Sequence, residues 1–495
     1  MDRLEAPPGA HLARTARLFL TAVTAAGFGG ELHAQEWRIT PRIEVEQAWN
    51  DNIFLSPKGQ TESDFITAVS PGIVVRGNTR RLRLNVDYDP QQLFFWHNSD
   101  QNEFRQRLRG FGQAELLERL LFLDASGTID QQFARTRDVI GTTTLTASPD
   151  LVDIRAFQAG PTLVNRFGPF ARSQFRYRYG LLETDAQDIA DETLGLWSLV
   201  VDSGEAFTVL SWRTTAASVN VDRAKDSTSP FAGTSFDQDF VKVDGRYTIR
   251  PIFAFLAGVG YEEIRDPTLI DEPTGVIWDV GGELRLSRNS FARLTYGERF
   301  GDTNWNAEAR YRAGAFTTLR LQYTQTIETS ASILLRELNL IGLAPSGALV
   351  ETETGRPIPL LDPFFDLADA AFRRDRFLAG ITISGRRDRY ALDIFDEQRD
   401  FDVSESDSER IGVIFSWTRQ LTPRLDLNIG VSYAHVKFES VPPRTDNYYS
   451  GLAGLGLRLS PTAELLVSYR HGQRNSDVVD DVAENVVIAG LRKIF

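Results

Sequence analysis

From Arg38 onward apolar and polar residues alternate in short runs. In Leu82-Arg-Leu-Asn-Val-Asp-Tyr88 the even positions are apolar, and in Leu425-Asp-Leu-Asn-Ile-Gly-Val-Ser-Tyr433 the odd ones. Leu319-Arg-Leu-Gln-Tyr323 and Ala307-Glu-Ala-Arg-Tyr-Arg312 repeat the scheme. A strand sends successive side chains to opposite faces, so a period of two marks half-exposed antiparallel strands. Short turns rich in Pro or small residues separate the runs. They stand out at 167–170, 249–252, 286–289, 421–424 and 459–462, with weaker signals at 77–80, 117–120, 202–205, 313–315 and 385–388. Pro423 lies 38 residues before Pro461, and Pro251 lies 37 before Arg288. Two strands of about ten residues, a tight turn and a longer loop need roughly that much chain.

The connections at the other strand ends are long, polar and acidic, as at 182–192, 400–409 and 474–481. They read as solvated loops, with divalent-ion or lipopolysaccharide counter-ion binding as the alternative. Short turns on one side and long loops on the other predict an all-β fold, an antiparallel transmembrane β-barrel of the outer-membrane kind. Ten turns with both chain ends on one side give 22 strands, within an expected range of 18–22. A closed sheet is required because lipid cannot satisfy an open backbone edge. The 32 Phe, 13 Tyr and 8 Trp suit aromatic girdles at two interfaces.

The last segment, Glu484 to Phe495, is also two-faced. Phe495, Lys493, Leu491, Ala489 and Val487 share one face, and the chain stops on a Phe that reads as buried. A closing strand ending this way resembles the C-terminal insertion signal read by barrel-insertion machinery, here carried by Leu491 and Phe495. Lys493 stands at the third position from the end, where that signal often has an aromatic residue. A final strand of any antiparallel sheet is the plainer alternative.

Two stretches depart from the rhythm. Residues 1–34 read as a secretory signal, with Arg14 and Arg17 before the apolar core 18–28 and Leu32-His33-Ala34 as a cleavage point. The barrel is then expected over 35–495. Within it, 327–371 is too long and too apolar in places for a wet surface loop. It reads as a segment folded into the lumen, or a plug, with a surface lid as the alternative.

The net charge of −13 is unchanged by loss of 1–34, which removes three basic and three acidic residues. No basic nucleic-acid surface is expected. The absence of cysteine argues against a disulfide scaffold or thiolate metal site. Only His97, His435 and His471 follow the signal segment, without metal-ligand spacing. No nucleophile elbow or phosphate-binding loop is present. An enzyme is not expected, nor is a cofactor.

The polar strand faces carry arginine ladders. Arg105, Arg107 and Arg109 share one face. Arg172, Arg176 and Arg178 share another, Arg310 and Arg312 a third, and Arg81 and Arg83 a fourth. Two residues of strand advance about 7 Å, a spacing suited to the charges of an extended polyanion, and guanidinium holds carboxylates without full desolvation. The alternative is a lumen of ion pairs, because Glu44, Glu46, Asp87, Glu115, Asp244, Glu283, Glu308, Asp426 and Glu464 also lie in strands.

Trp37-Arg-Ile-Thr-Pro41, Trp49-Asn-Asp-Asn-Ile-Phe-Leu-Ser-Pro57 and Ser63-Asp-Phe-Ile-Thr-Ala-Val-Ser-Pro-Gly72 resemble a Gram-negative barrel family. Its members are associated with PEP-CTERM/exosortase and exopolysaccharide gene clusters. The resemblance implies residence in the outer membrane among lipid and lipopolysaccharide. It also implies a role in exopolysaccharide export with periplasmic and inner-membrane partners. It brings no catalytic residues. A general diffusion porin and a non-conducting structural or adhesive barrel are the alternatives.

Overall fold

The alternating segments close into one sheet. The computed structural model describes residues 37–134, 141–186, 189–225, 227–339, 341–343, 349–351, 367–368, 370–402 and 407–495. The segment 1–34 lies outside them, as does much of the 327–371 insert. A 22-stranded antiparallel sheet runs from Trp37–Asn50 to Val482–Ile494. The first strand pairs with Asp64–Asn78 on one side and with Val482–Ile494 on the other, from Arg42↔Ile494 to Asn50↔Val486. No edge remains open, which is the condition for crossing lipid with strands. The insert interrupts the chain without interrupting the sheet, since Thr317–Glu328 pairs directly with Phe372–Ser384.

One short turn, Phe300–Gly301, lies at the end where long loops are expected, and the ten read from the sequence pattern fall where it places them, at the end shared by Trp37 and Ile494. We call this the turn side and the opposite end the loop side. Left-handed backbone closes three of those ten turns, at Arg119 (φ 57°), Gly168 (φ 57°) and Gly314 (φ 73°), and the two glycines adopt it without the strain a side chain adds.

Alternation sorts the faces. Ile43, Val45, Tyr177, Val241, Val259, Leu294, Val431 and Val467 point outward and are exposed, forming an apolar belt. Aromatic pairs border it. Tyr433–Tyr449 (5.2 Å between ring centroids) lies toward the loop side and the stacked Tyr390–Trp417 pair (5.9 Å) toward the turn side. An apolar band between aromatic girdles, on a closed antiparallel sheet, is the form of an outer-membrane β-barrel. The chain is one. Leu491 and Phe495 belong to this outward face, at 49% and 71% exposure. The terminal Phe is therefore lipid-facing and not buried, because its parity in the last strand is that of the belt.

The inner face departs from the uniformly polar lining expected of a barrel interior. Toward the loop side its inward positions turn apolar. Ile154, Leu182, Val221, Phe236 and Ile264 are buried on one arc, Ile66, Leu93, Val486 and Ile488 on a second, and Val436, Phe438 and Tyr448 on a third. The neighbouring outward positions carry ion pairs, Arg155–Asp153 (3.2 Å), Arg265–Asp239 (3.2 Å) and Lys437–Glu409 (2.9 Å). The strands thus rise beyond the lipid belt, and there the barrel is built like a water-soluble one, apolar within and charged outside. We call this layer the collar.

Candidate functional site: the lumen wall and its collar

Below the collar the inner wall is lined by charge. Glu44, Glu46, Asp87, Glu115, Asp244, Glu283, Glu308, Asp426 and Glu464 all have inward parity. Many cations lie flat across a glycine of the intervening strand. Arg42 crosses Gly72 to Asp87 (2.5 Å) and Asp89. Arg178 crosses Gly160 to Asp124 (2.6 Å). Lys242 lies over Gly258, bonded to Asp244 (2.8 Å) and Asp279. Arg320 crosses Gly380 to Asp393 (2.9 Å). Neighbouring strands are about 4.8 Å apart, so a long side chain can span two of them only where no Cβ intervenes. The pairs therefore lie against the wall instead of filling the lumen.

The arginines singled out from sequence separate into groups. Arg81 lies in the turn before the strand Leu82–Phe95 and is exposed, so it does not share a strand face with Arg83. Arg105 is 4% exposed, bonded to Glu103 (2.8 Å to Nε) and to the carbonyls of Thr144 and Thr146, and is not open to a passing solute. Arg109 faces Asp130 at 3.6 Å. Arg178 is fixed by Asp124 and by the carbonyls of Gly160 and Tyr177 (3.0 and 2.8 Å). Arg83, Arg107, Arg172, Arg176, Arg310 and Arg312 face the lumen without an ion pair among the described residues. Arg83, Arg172, Arg310 and Arg312 are exposed there.

Other inward arginines escaped the sequence reading, among them Arg374 and Arg376, two residues apart on Phe372–Ser384. They surround Glu397, 3% exposed and bonded to Arg374 (2.6 Å) and Arg399 (2.7 Å), with Arg376 at 3.6 Å. Inward parity would have found each of them.

Two segments fold inside the collar. Residues 141–150 cover the arc around the closing seam, with Leu145 buried among Ile53, Ile66, Leu93 and Val486. Arg105 holds two carbonyls of this segment. The Asn50 amide donates to Leu145 O (3.2 Å), Arg470 donates to Thr142 O (2.7 Å), and Glu484 accepts from the Thr142 amide. Sequence gave no signal for this segment because its contacts are separated by up to several hundred residues.

The second is the start of the insert, the helix Ser330–Asn339. Thr329 and Ser332 cap it reciprocally, each hydroxyl accepting from the other's backbone N–H at 3.1 Å. Ala331, Ile333 and Leu334 are buried against Ile154, Leu182 and Leu194 of the inner wall. The helix lies along Leu121–Phe133, Leu151–Phe167 and Glu192–Ser203, far around the barrel from the strand it leaves. Leu367 N donates to Ala134 O (3.1 Å) and Ala371 N to Thr268 Oγ1 (3.0 Å), tying the returning chain to the same mouth.

No family model matches the chain, and no curated protein matches it. Solved structures of similar form include the siderophore receptor PirA from Acinetobacter baumannii (10% identity, 92% of this chain and 80% of that one, TM-score 0.49). The ferric-catecholate import receptor Fiu from E. coli K12 is comparable (8% identity, 92% and 81%, TM-score 0.49). OpdO from Pseudomonas aeruginosa covers 92% of this chain and 97% of its own (10% identity, TM-score 0.36).

Proposed function

We propose that this barrel is an outer-membrane channel that passes an exopolysaccharide outward, working with periplasmic export proteins, and that it is a conduit and not an enzyme. The observation that carries the reading is the pairing of a flush, charged lumen wall with a collar occupied by two inward-folded segments. A wall whose ion pairs lie flat over glycines leaves the bore clear for a bulky hydrated chain. A barrel of this width would leak unless its mouth were narrowed, and large barrels often carry plugs. The segments 141–150 and 330–339 sit where a gate would act. The N-terminal resemblance to barrels of exopolysaccharide clusters favours this cargo over the small solutes of a diffusion porin.

Single-channel conductance in a planar bilayer tests the reading, with intact protein and with a variant lacking 330–368. A closed intact barrel that opens on deletion supports a gated exporter. Steady conductance in both identifies an ordinary porin, and silence in both, from verified folded protein, leaves a structural barrel.

A further inference from the structure

The wall is not electrically uniform, and one arc of it lacks its share of carboxylates. Along Arg42, Lys242 and Arg492 each cation meets two acidic groups, Arg492 bonding Glu44 (3.0 Å) with Glu464 at 3.8 Å. In the turn-side half of the arc built by Thr274–Ser287, Ser290–Arg299, Asp302–Ala313 and Thr317–Glu328 cations prevail, with Arg285, Arg293, Arg310, Arg312 and Arg320 inward against Glu283 and Glu308. At one level the register runs Arg285↔Phe291↔Arg310↔Arg320. Three of these four inward positions on adjacent strands are arginine, with Arg293 one inward step toward the loop side and Arg312 one toward the turn side.

The acids nearby are already engaged or distant. Glu283 is fully buried and shared by Arg246, Arg285 and Arg293 at 2.9–3.0 Å. Asp393 belongs to Arg320. Glu308 lies 3.9 Å from Arg293 and is half exposed. Arg310 sits directly opposite Arg320, an arrangement of like charges that costs stability in an antiparallel pair. Arg310 and Arg312 are exposed to the lumen and make no ion pair among the described residues. The Arg312 guanidinium donates only to the Ala315 carbonyl (3.3 Å) among the described residues, and exposed guanidinium groups without acidic partners hold planar oxyanions well.

The charge along the axis points the same way. The ten turns contain seven arginines, including Arg288, Arg386 and Arg387, against Glu118, Asp202, Glu205 and Asp388. Loops 185–191, 266–273, 401–407 and 477–481 each hold three acidic residues and no basic one. An anionic chain would be drawn in at the turn side and repelled from the loop side.

We propose that this arc is a binding face for the carboxylate groups of an anionic polysaccharide entering from the turn side, with Arg310 and Arg312 as its open contacts. The proposal rests on the channel reading and supplies the charge class of its cargo.

The test uses the full-length protein folded in detergent, with a galacturonate hexamer as probe and a maltose hexamer as neutral control. Binding is measured by calorimetry on the full-length protein, and block of current is measured in a planar bilayer on the variant lacking 330–368, with probe added to either side. The uronate should bind and the neutral oligomer should not, with affinity falling as salt rises. The double variant R310Q/R312Q should weaken binding roughly tenfold, equivalent to about 1.4 kcal/mol. Arg83→Gln with Arg172→Gln, inward and unpaired on other arcs, should change it less than about twofold. Because all four side chains are solvent-exposed, each variant should keep the heat-modifiable gel mobility of a folded barrel. Equal binding of the two oligomers, or equal loss in both double variants, overturns the proposal. A barrel that conducts but does not discriminate leaves the channel reading standing without the anion face. One that binds uronate but never conducts, even without 330–368, does the reverse.

Discussion

Arg320 and Asp393 bond at 2.9 Å although their strands are not neighbours: Phe372–Ser384 runs between them, and the bridge passes over Gly380. The same construction recurs at Arg178–Asp124 over Gly160 and at Arg42–Asp89 over Gly72. It joins every other strand of the wall from the inside and keeps charged side chains out of the bore.

Alanine at the two kinds of glycine separates this role from simple packing. A Cβ at Gly380 would fall 2.3 Å from Asp393 Oδ1 and 2.9 Å from Arg320 Nε, both ends of flexible side chains. Gly380→Ala should lift the ion pair off the wall with a stability change below about 1 kcal/mol. A Cβ at Gly160 meets the Tyr177 carbonyl oxygen at 2.0 Å. Gly160→Ala must shift backbone, and the expected cost is about 1–3 kcal/mol. Urea unfolding in detergent, followed by gel mobility, compares the two, and equal midpoints would sink the distinction.

Arg105 is the fastener of the 141–150 segment. Arg105→Ala leaves the buried Thr146 carbonyl and the half-buried Thr144 carbonyl without their donor, the buried one worth about 1–3 kcal/mol of desolvation. The segment should detach while the barrel persists, since Arg105 contributes no cross-strand bridge to the sheet. Limited proteolysis near Leu145 should accelerate, with the strands themselves still protected.

The insert helix is held by apolar contact alone where Ile333 and Leu334 meet Ile154 and Leu182. A carboxylate there would be buried among apolar side chains. Leu334→Asp should therefore release the helix and raise open-channel current toward that of the 330–368 deletion, without altering folded-barrel mobility. An unchanged current would show that the helix does not limit the pore.

The height of the lipid belt is open to direct measurement. Val431 lies within the apolar band at 53% exposure, whereas Glu409 is paired with Lys437 beside the collar. Val431→Arg should destabilise the barrel in lipid by about 2–4 kcal/mol, and Glu409→Arg should cost no more than about 1 kcal/mol. Comparable losses at both sites would place the collar inside the bilayer.

Sequence alone determined the barrel class, a strand number within 18–22 and the ten short turns at one end of the barrel. Those features are local. A period of two needs only neighbouring residues, and Pro423-Arg424 or Pro461-Thr462 mark their turns without reference to the rest of the chain. Parity likewise placed Arg107, Arg176 and Arg310 on the lumen side. Tertiary structure decided what that side does with them. Arg178 and Asp124 are 54 residues apart, and Glu484 and Thr142 are 342 apart. Which charge meets which depends on strand register summed around a closed sheet, a quantity no local pattern records. The collar escaped for the same reason. Along Leu151–Phe167 the apolar positions change face, from the inward Ile154 in the collar to the outward Leu163 in the belt, and only the height of each relative to lipid, set by closure of the whole sheet, decides which face is apolar.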